Sequence, residues 1–296
     1  MICPLCGSGA TGSIAFRRDD EIEAWRSEVG DQRPYTWALC RRCGNAFPSV
    51  QPDMRVLRRV WETNRSVDEL DPKQAEAAWT HRRRISQIGA DRSYRLFAPL
   101  ARRKGRFMDV ACGLGETVRV FADQGWEAEG VDADPSVETL HRQLGIRTQI
   151  GPFEQIKLQD GYEMIHIAHA IYFITDPMGF LRGVRDHLAP DGLFGVVLSD
   201  FMSSMQDGQP SYAHTFLPTA ASMRYLLALA GFESVLARRM SGSIYLAARP
   251  TDNPALPRVH PFMIELGYRT RTMRYEMIGK PALALRRLAK TATGRN

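Results

Sequence analysis

Four cysteines of this chain come as two pairs, each pair enclosing two residues and each followed by glycine: Cys3-Pro4-Leu5-Cys6-Gly7 and Cys40-Arg41-Arg42-Cys43-Gly44. A Cys-x-x-Cys knuckle puts two thiolates on one tight turn, and the glycine relieves the backbone there. Two knuckles supply four sulfurs, the donor set of tetrahedral Zn²⁺ with no position left for substrate. Cys3, Cys6, Cys40 and Cys43 are therefore expected to hold a structural zinc. A redox dithiol needs only one such pair, at a helix start after a strand, and an iron–sulfur cluster is the other use of four thiolates. The fifth cysteine, Cys112, lies in Phe107-Met108-Asp109-Val110-Ala111-Cys112-Gly113-Leu114-Gly115. There a short apolar run carries an acid and turns through two glycines into a helix-compatible stretch, Glu116 to Gln124. Such a strand–glycine loop–helix unit lets a nucleotide-like ligand approach bare main chain. Cys112 itself reads as a small residue in a tight loop.

A second strand, Ala128-Glu129-Gly130-Val131, closes on Asp132, where an acid would bind a ribose diol. A dinucleotide fingerprint asks for a third small residue in the following helix, and Val118 stands at that position. The pattern Asp-x-x-Cys-Gly-x-Gly instead resembles motif I of the class I S-adenosylmethionine-dependent methyltransferases. The resemblance extends from Gly105 to Arg249. Gly130-Val131-Asp132-Ala133-Asp134-Pro135 resembles that family's second strand, and Gly151-Pro152-Phe153-Glu154 its adenine-contacting loop. Asp160-Gly161-Tyr162-Glu163-Met164-Ile165 resembles the entry to its fourth strand, with Glu163 in place of the usual Asp. A helix over 178–188 leads to Ala189-Pro190-Asp191-Gly192, with Asp191 replacing a glycine, and to a fifth strand over 193–198. The resemblance implies S-adenosylmethionine as cofactor, with Asp109, Gly113, Gly115, Asp132, Phe153 and Glu154 as its binding residues.

Methyl transfer to a hydroxyl calls for a base, and histidine titrates near working pH. In an open α/β sheet the acceptor enters beyond the carboxyl ends of the strands. His169 ends the fourth strand, Met164-Ile165-His166-Ile167-Ala168-His169, whereas His166 is assigned no role. His214 stands in Ser211-Tyr212-Ala213-His214-Thr215-Phe216, and the stretch from there to Leu227 resembles the post-strand-five segment of methyltransferases acting on sugars and related metabolites. His214 is the first expectation as base, with Tyr212 orienting it, and His169 the second. The whole-chain resemblance is to bacterial methyltransferases with an N-terminal four-cysteine zinc domain, including nucleotide-sugar C-methyltransferases. Those carry a further large α/β domain, whereas only a short remainder follows Arg249 here. O-methylation of a sugar, glycan or small hydroxylated metabolite is accordingly expected ahead of C-methylation.

The elements that must position these residues follow from the same reading. The fold expected is α/β: a Rossmann-like, seven-stranded methyltransferase sheet preceded by a small zinc-ribbon-like domain. The divisions are 1–50 for the ribbon, 51–104 for two or three helices capping the cofactor site, 105–250 for the cofactor-binding domain, and 251–296 for a Pro-rich linker and basic C-terminal helix. No run of eighteen apolar residues spans a membrane, the N-terminus lacks a signal-peptide pattern, and five cysteines argue against a disulfide framework, so a cytoplasmic location is expected. The net charge is +6, but residues 258–296 hold nine Lys or Arg against two Glu, leaving the rest near neutral. Arg82-Arg83-Arg84 and Arg102-Arg103-Lys104 keep open a second reading, a ribosomal-RNA methyltransferase with an N-terminal zinc site. A third reading is a non-catalytic zinc- and cofactor-binding module. The stretch 281–290 reads as a basic amphipathic helix able to meet anionic membrane.

Overall fold

The computed structural model describes residues 1–14, 36–55, 57, 72–156, 158–200, 202, 213–279, 281, 282 and 285. Tyr212 and most of the expected basic helix over 281–290 lie outside the described residues. The larger of two sheets has seven strands: β4 (Arg106–Val110), β5 (Glu127–Asp132), β6 (Thr148–Ile150), β7 (Tyr162–Ala168), β8 (Leu188–Ser199), β9 (Phe232–Met240) and β10 (Ser243–Pro250). Their order is β6-β5-β4-β7-β8-β10-β9. β4 to β8 pair in parallel, and β10 runs antiparallel between β8 and β9. The central strands are buried on both faces, so their sequences are nearly continuous apolar runs rather than alternating ones. The chain winds from β4 outward to β6, then returns to β7 on the other side. The crevice between the carboxyl ends of β4 and β7 is thus the topological switch point, where open sheets of this kind bind ligands.

Six helices complete the described fold: α1 (Pro72–Phe97), α2 (Glu116–Asp123), α3 (Val137–Gln143), α4 (Pro177–His187), α5 (Ala220–Leu229) and α6 (Pro261–Arg274). Local chemistry sets their starts. The Asp176 carboxylate accepts the Gly179 N–H at 2.8 Å ahead of Pro177, and Thr219 and Ser222 form a reciprocal capping box on α5. α2 is pinned to the sheet by Phe121, stacked on Phe107 at 3.7 Å and met edge-on by Trp126 and Tyr94. Within the stretch 51–104, α1 is one helix of 26 residues, followed by a 3₁₀ turn at Ala98–Leu100.

The two departures from the family pattern have partners. Arg103 pairs with the nearly buried Glu163 at 2.6 Å, and Arg102 with Asp191 at 2.8 Å. Gly105 leaves room for the longer Glu163 side chain, whose Cγ would lie 2.6 Å from any Cβ there. Lys104 donates to the Gln124 carbonyl at 2.7 Å. This basic cluster is therefore engaged within the chain.

The smaller sheet has three antiparallel strands, β1 (Thr11–Ile14), β2 (Trp37–Cys40) and β3 (Ala46–Pro48). It is not held apart from the larger sheet. Cys3, Leu5, Cys40, Cys43 and Phe47 share one buried cluster with Phe216, Leu226 and Leu227. Ala46 and Leu217 exchange backbone hydrogen bonds at 3.3 and 2.7 Å, and Arg42 donates to the Tyr225 hydroxyl at 3.2 Å. On its other side, Ile264 and Tyr268 of α6 pack with Trp37, Leu39 and Leu217. The segment after β10 thus returns to cover the cysteine sheet.

Candidate active site

The loop after β4 has the conformation its glycines allow. Gly113 and Gly115 lie at φ +60° and +78°, and Ala111 takes +55° without the freedom of a glycine. A Cβ on Gly115 would meet Ile146 at 2.5 Å, so side-chain packing as well as φ requires glycine there. The absent third glycine has moved to the opposing strand. A Cβ on Gly130 would stand 2.6 Å from Cys112 Sγ and 3.2 Å from Val118, so Gly130 gives the room that a small residue at 118 would otherwise supply.

Asp132 organises this loop. Its carboxylate accepts the Gly113 N–H at 2.7 Å and the Asp134 N–H at 3.0 Å. His141 reaches the Gly113 carbonyl through Nε2 at 2.8 Å. Glu116, the first residue of α2, is buried and held by Arg83 of α1 at 3.0 Å and by Arg119 at 2.9 Å. The Arg83 pair ties α1 to the start of α2.

Under α1 lies a cavity of about 690 Å³, over the switch point. Its walls include Arg82, Ile85, Ile88 and Arg92 of α1, the loop from Ala111 to Leu114, and Asp109, His169 and Tyr245. Among the described residues, the three non-glycine residues of positive φ, Ala111, His169 (+54°) and Ser241 (+52°), all line it. Backbone strain of this kind persists where surrounding structure over-determines it, commonly at functional sites. Of the residues singled out in the sequence, the cavity unites Asp109, Gly113 and His169. Gly115 and Asp132 lie outside its lining, and Phe153 is buried edge-on to Phe180 at 5.0 Å. The backbone of Glu154 forms a 3₁₀ turn with Phe153, but its side chain is outside the described residues.

The two candidate bases fall in different surroundings. His169 opens onto the cavity with Nδ1 3.2 Å from Ser199 Oγ, which in turn lies 3.2 Å from the Tyr172 hydroxyl. The protein enclosing the rest of its ring, and then the neighbouring His166, hold its imidazole below the ordinary histidine range. Burial pushes the Tyr172 phenol up to about 12. His214 is buried instead, its ring 4.8 Å from Tyr172 and 5.1 Å from Phe173, and does not line the cavity.

His166 was given no role in the sequence, yet it joins three elements. Its Nδ1 is 2.7 Å from Asp109 Oδ1 and its Nε2 is 3.1 Å from Ser93 Oγ, all three residues being buried. A carboxylate only accepts, so Nδ1–H donates to Asp109, and Nε2 meets the Ser93 hydroxyl. The array fixes α1 to β4 and β7 beneath the cavity. Ser93 lies 73 residues before His166, so no local spacing could have revealed the contact.

At the other site, the Sγ atoms of Cys3, Cys6, Cys40 and Cys43 lie within 4.8 Å of one another. Cys3 to Cys43 is 3.8 Å and Cys6 to Cys40 is 3.5 Å. Zn–S bonds of about 2.3 Å place tetrahedral sulfurs about 3.8 Å apart, so the donor set fits zinc. Gly7 and Gly44 take φ +70° and +71° behind the knuckles. Burial, reinforced by the nearby sulfurs, pushes the Cys6 thiol up to about 11, and Cys43 is raised chiefly by its hydrogen bond to Cys3. A divalent cation at the centre reverses that balance by favouring the thiolates.

A sequence profile described as "Methyltransferase domain" matches residues 79–237, more than half of the chain. The chain belongs to the methyltransferase-domain family. With that membership come S-adenosylmethionine as methyl donor and a transferase's chemistry. No curated protein matches this methyltransferase in sequence. Among solved structures, a SAM-dependent methyltransferase from Thermotoga maritima is 17% identical, covering 65% of this chain and 99% of its own, with a TM-score of 0.50. The PH0226 protein from Pyrococcus horikoshii is 16% identical, covering 58% of this chain and 91% of its own, with a TM-score of 0.48. A S-adenosylmethionine-dependent methyltransferase from Mesorhizobium loti is 16% identical, covering 49% and 91%, with a TM-score of 0.43. At 17% identity the likeness to the Thermotoga maritima protein is one of fold.

The bare main chain of the Ala111–Leu114 loop, beside a cavity of this size, fits a cofactor's approach. Asp132→Ala removes the charge-assisted hydrogen bonds to Gly113 of that loop and to Asp134, and is expected to weaken S-adenosylmethionine binding about 10–100-fold. The loss should exceed that of any histidine replacement, and Asp132→Asn, which keeps one acceptor, should lose less. Calorimetry decides this, and an unchanged affinity in the alanine variant would remove Asp132 from the cofactor site.

Proposed function

We propose that this methyltransferase methylates a hydroxyl of a sugar, glycan or small metabolite, with His169 as the base. The observation that carries the reading is His169 itself, held at positive φ on the wall of a cavity that begins at the motif I loop. The bound cofactor supplies an electrophilic methyl on a sulfonium, and the chain's own residues then have three tasks. Asp109, Gly113 and Gly115, with Asp132 behind them, form the cofactor's cradle, and Phe153 and Glu154 stand at its expected adenine end. Ile85 and Ile88 offer exposed apolar surface from α1, which can cover a ligand and exclude water. His169 takes the acceptor's proton. With Nδ1–H given to Ser199, its Nε2 lone pair is left for the cavity, and no described residue hydrogen-bonds that nitrogen.

Size and charge support a small acceptor over RNA. A volume of about 690 Å³ lies in the range of small-ligand sites. Arg102, Arg103 and Lys104 have partners within the chain, and Arg83 is paired with Glu116. Titration calorimetry with S-adenosylmethionine and S-adenosylhomocysteine is expected to give affinities of roughly micromolar order, about −8 kcal/mol. Labelled methyl should then pass to hydroxylated acceptors in a panel with little dependence on salt. Binding to folded protein without transfer to any hydroxyl, accompanied by salt-sensitive methylation of RNA, would overturn the acceptor assignment.

A further inference from the structure

α6 is apolar on two opposite faces, and only one is covered. Ile264, Tyr268 and Arg271, spaced four and three residues apart, are buried on the cysteine sheet's side. About half a turn away, Phe262, Leu266 and Met273 point outward beside Met263. Met277 and Ile278 of the π-turn Tyr275–Gly279 are exposed as well. Phe262 is 68% exposed and Met277 69%. Scattered apolar residues are ordinary on protein surfaces, but a set of large ones sharing one helix face, interrupted there by Arg269 and Thr270, marks a binding face.

The charges around the stripe indicate what it meets. Between residues 256 and 274 the only acid is Glu265, which is buried and paired with Arg41 at 2.8 Å and Arg269 at 2.7 Å. Arg258, Arg269 and Arg274 are exposed, and residues 258–296 carry nine basic groups against two acids. A second copy of the chain would bring two such basic stripes together, which like-charge repulsion opposes. A partner both apolar beneath and negative at its surface satisfies both features, and an anionic bilayer has that construction.

We infer that α6 and the turn after it form a peripheral docking surface for anionic lipid. Gly267 packs against Met202, two residues beyond Asp200, which follows β8 at its carboxyl end. The inference holds whatever the acceptor's identity.

Full-length protein is mixed with vesicles of phosphatidylcholine alone or with added phosphatidylglycerol, and the bound fraction is read by sedimentation. Binding is expected only with the anionic lipid, falling as salt rises. The exposed-face variant Phe262→Ser/Leu266→Ser/Met273→Ser, and separately Arg258→Glu/Arg274→Glu, should each weaken it by at least about tenfold. S-adenosylhomocysteine affinity and Tm should stay unchanged in both, because the altered side chains are exposed. Equal binding to both vesicle types, or none to either, overturns the proposal. So does a serine variant that changes only a monomer–dimer equilibrium in sedimentation velocity, which would make the face a self-association surface.

Discussion

His169→Asn is expected to lower kcat by about 10²–10⁴-fold, the usual worth of a positioned general base. Affinity for S-adenosylhomocysteine and Tm should remain close to those of the parent. Asparagine is the informative replacement because it tolerates the left-handed backbone that His169 adopts at φ +54°, whereas alanine adds strain to the loss of the imidazole. The pH profile gives an independent reading. The base works as neutral imidazole, and enclosure plus the neighbouring His166 hold its pKa below the ordinary value. Protonation is therefore delayed to lower pH. The acid limb of kcat should fall below about pH 6.5, and His169→Asn should abolish that limb. His214→Ala should act differently, lowering Tm through lost packing on Tyr172 and Phe173 while sparing the acid limb. Full kcat in His169→Asn on a verified acceptor would sink the assignment, and loss of the limb in His214→Ala would transfer the role.

The contrast between these histidines shows where sequence reading reaches its limit. Local chemistry was legible wherever a few consecutive residues decide it. The glycines behind each cysteine pair and in the Gly113–Gly115 loop take the positive φ that their positions suggest. The parallel strands could be read from apolar runs bounded by turn residues. Contacts across the sheet could not. The Ser93–His166–Asp109 array depends on α1 crossing two strands, and the pairing of Glu163 and Asp191 with neighbouring arginines depends on which loops share an edge. Likewise, His214 follows a plausible sequence pattern, but its side chain is packed among aromatics. The strain that singles out His169 is a backbone property and leaves no trace in residue type.

Cys40→Ser is expected to have the largest effect on stability. Serine is a poor zinc ligand, and three remaining sulfurs around a buried position cannot hold the site closed. Cys3 and Cys6 precede β1 while Cys40 and Cys43 follow at the end of β2, so losing the ion frees the N-terminal knuckle from β2. That sheet shares its buried cluster with Phe216, Leu226 and Leu227, and it bonds to Leu217 through the Ala46 backbone. Damage should therefore pass into the segment after β8 and into α5. The Asp109–Gly115 loop stands on β4 and should be affected less. Structural zinc contributes about 10–16 kcal/mol of apparent binding energy in small zinc-finger peptides. A loss of only about 5 kcal/mol would lower Tm by about 8 °C in a chain of this size. Cys40→Ser should thus lose its zinc and melt at least about 8 °C lower. At a temperature where it stays folded, kcat should fall more than S-adenosylhomocysteine affinity. Cys112→Ser is the control: its sulfur packs on Gly130, away from the four-cysteine site, and one zinc per chain should remain. Metal analysis and calorimetry on the two variants separate the outcomes, since full zinc loading with an unchanged Tm in Cys40→Ser would place the ligands elsewhere.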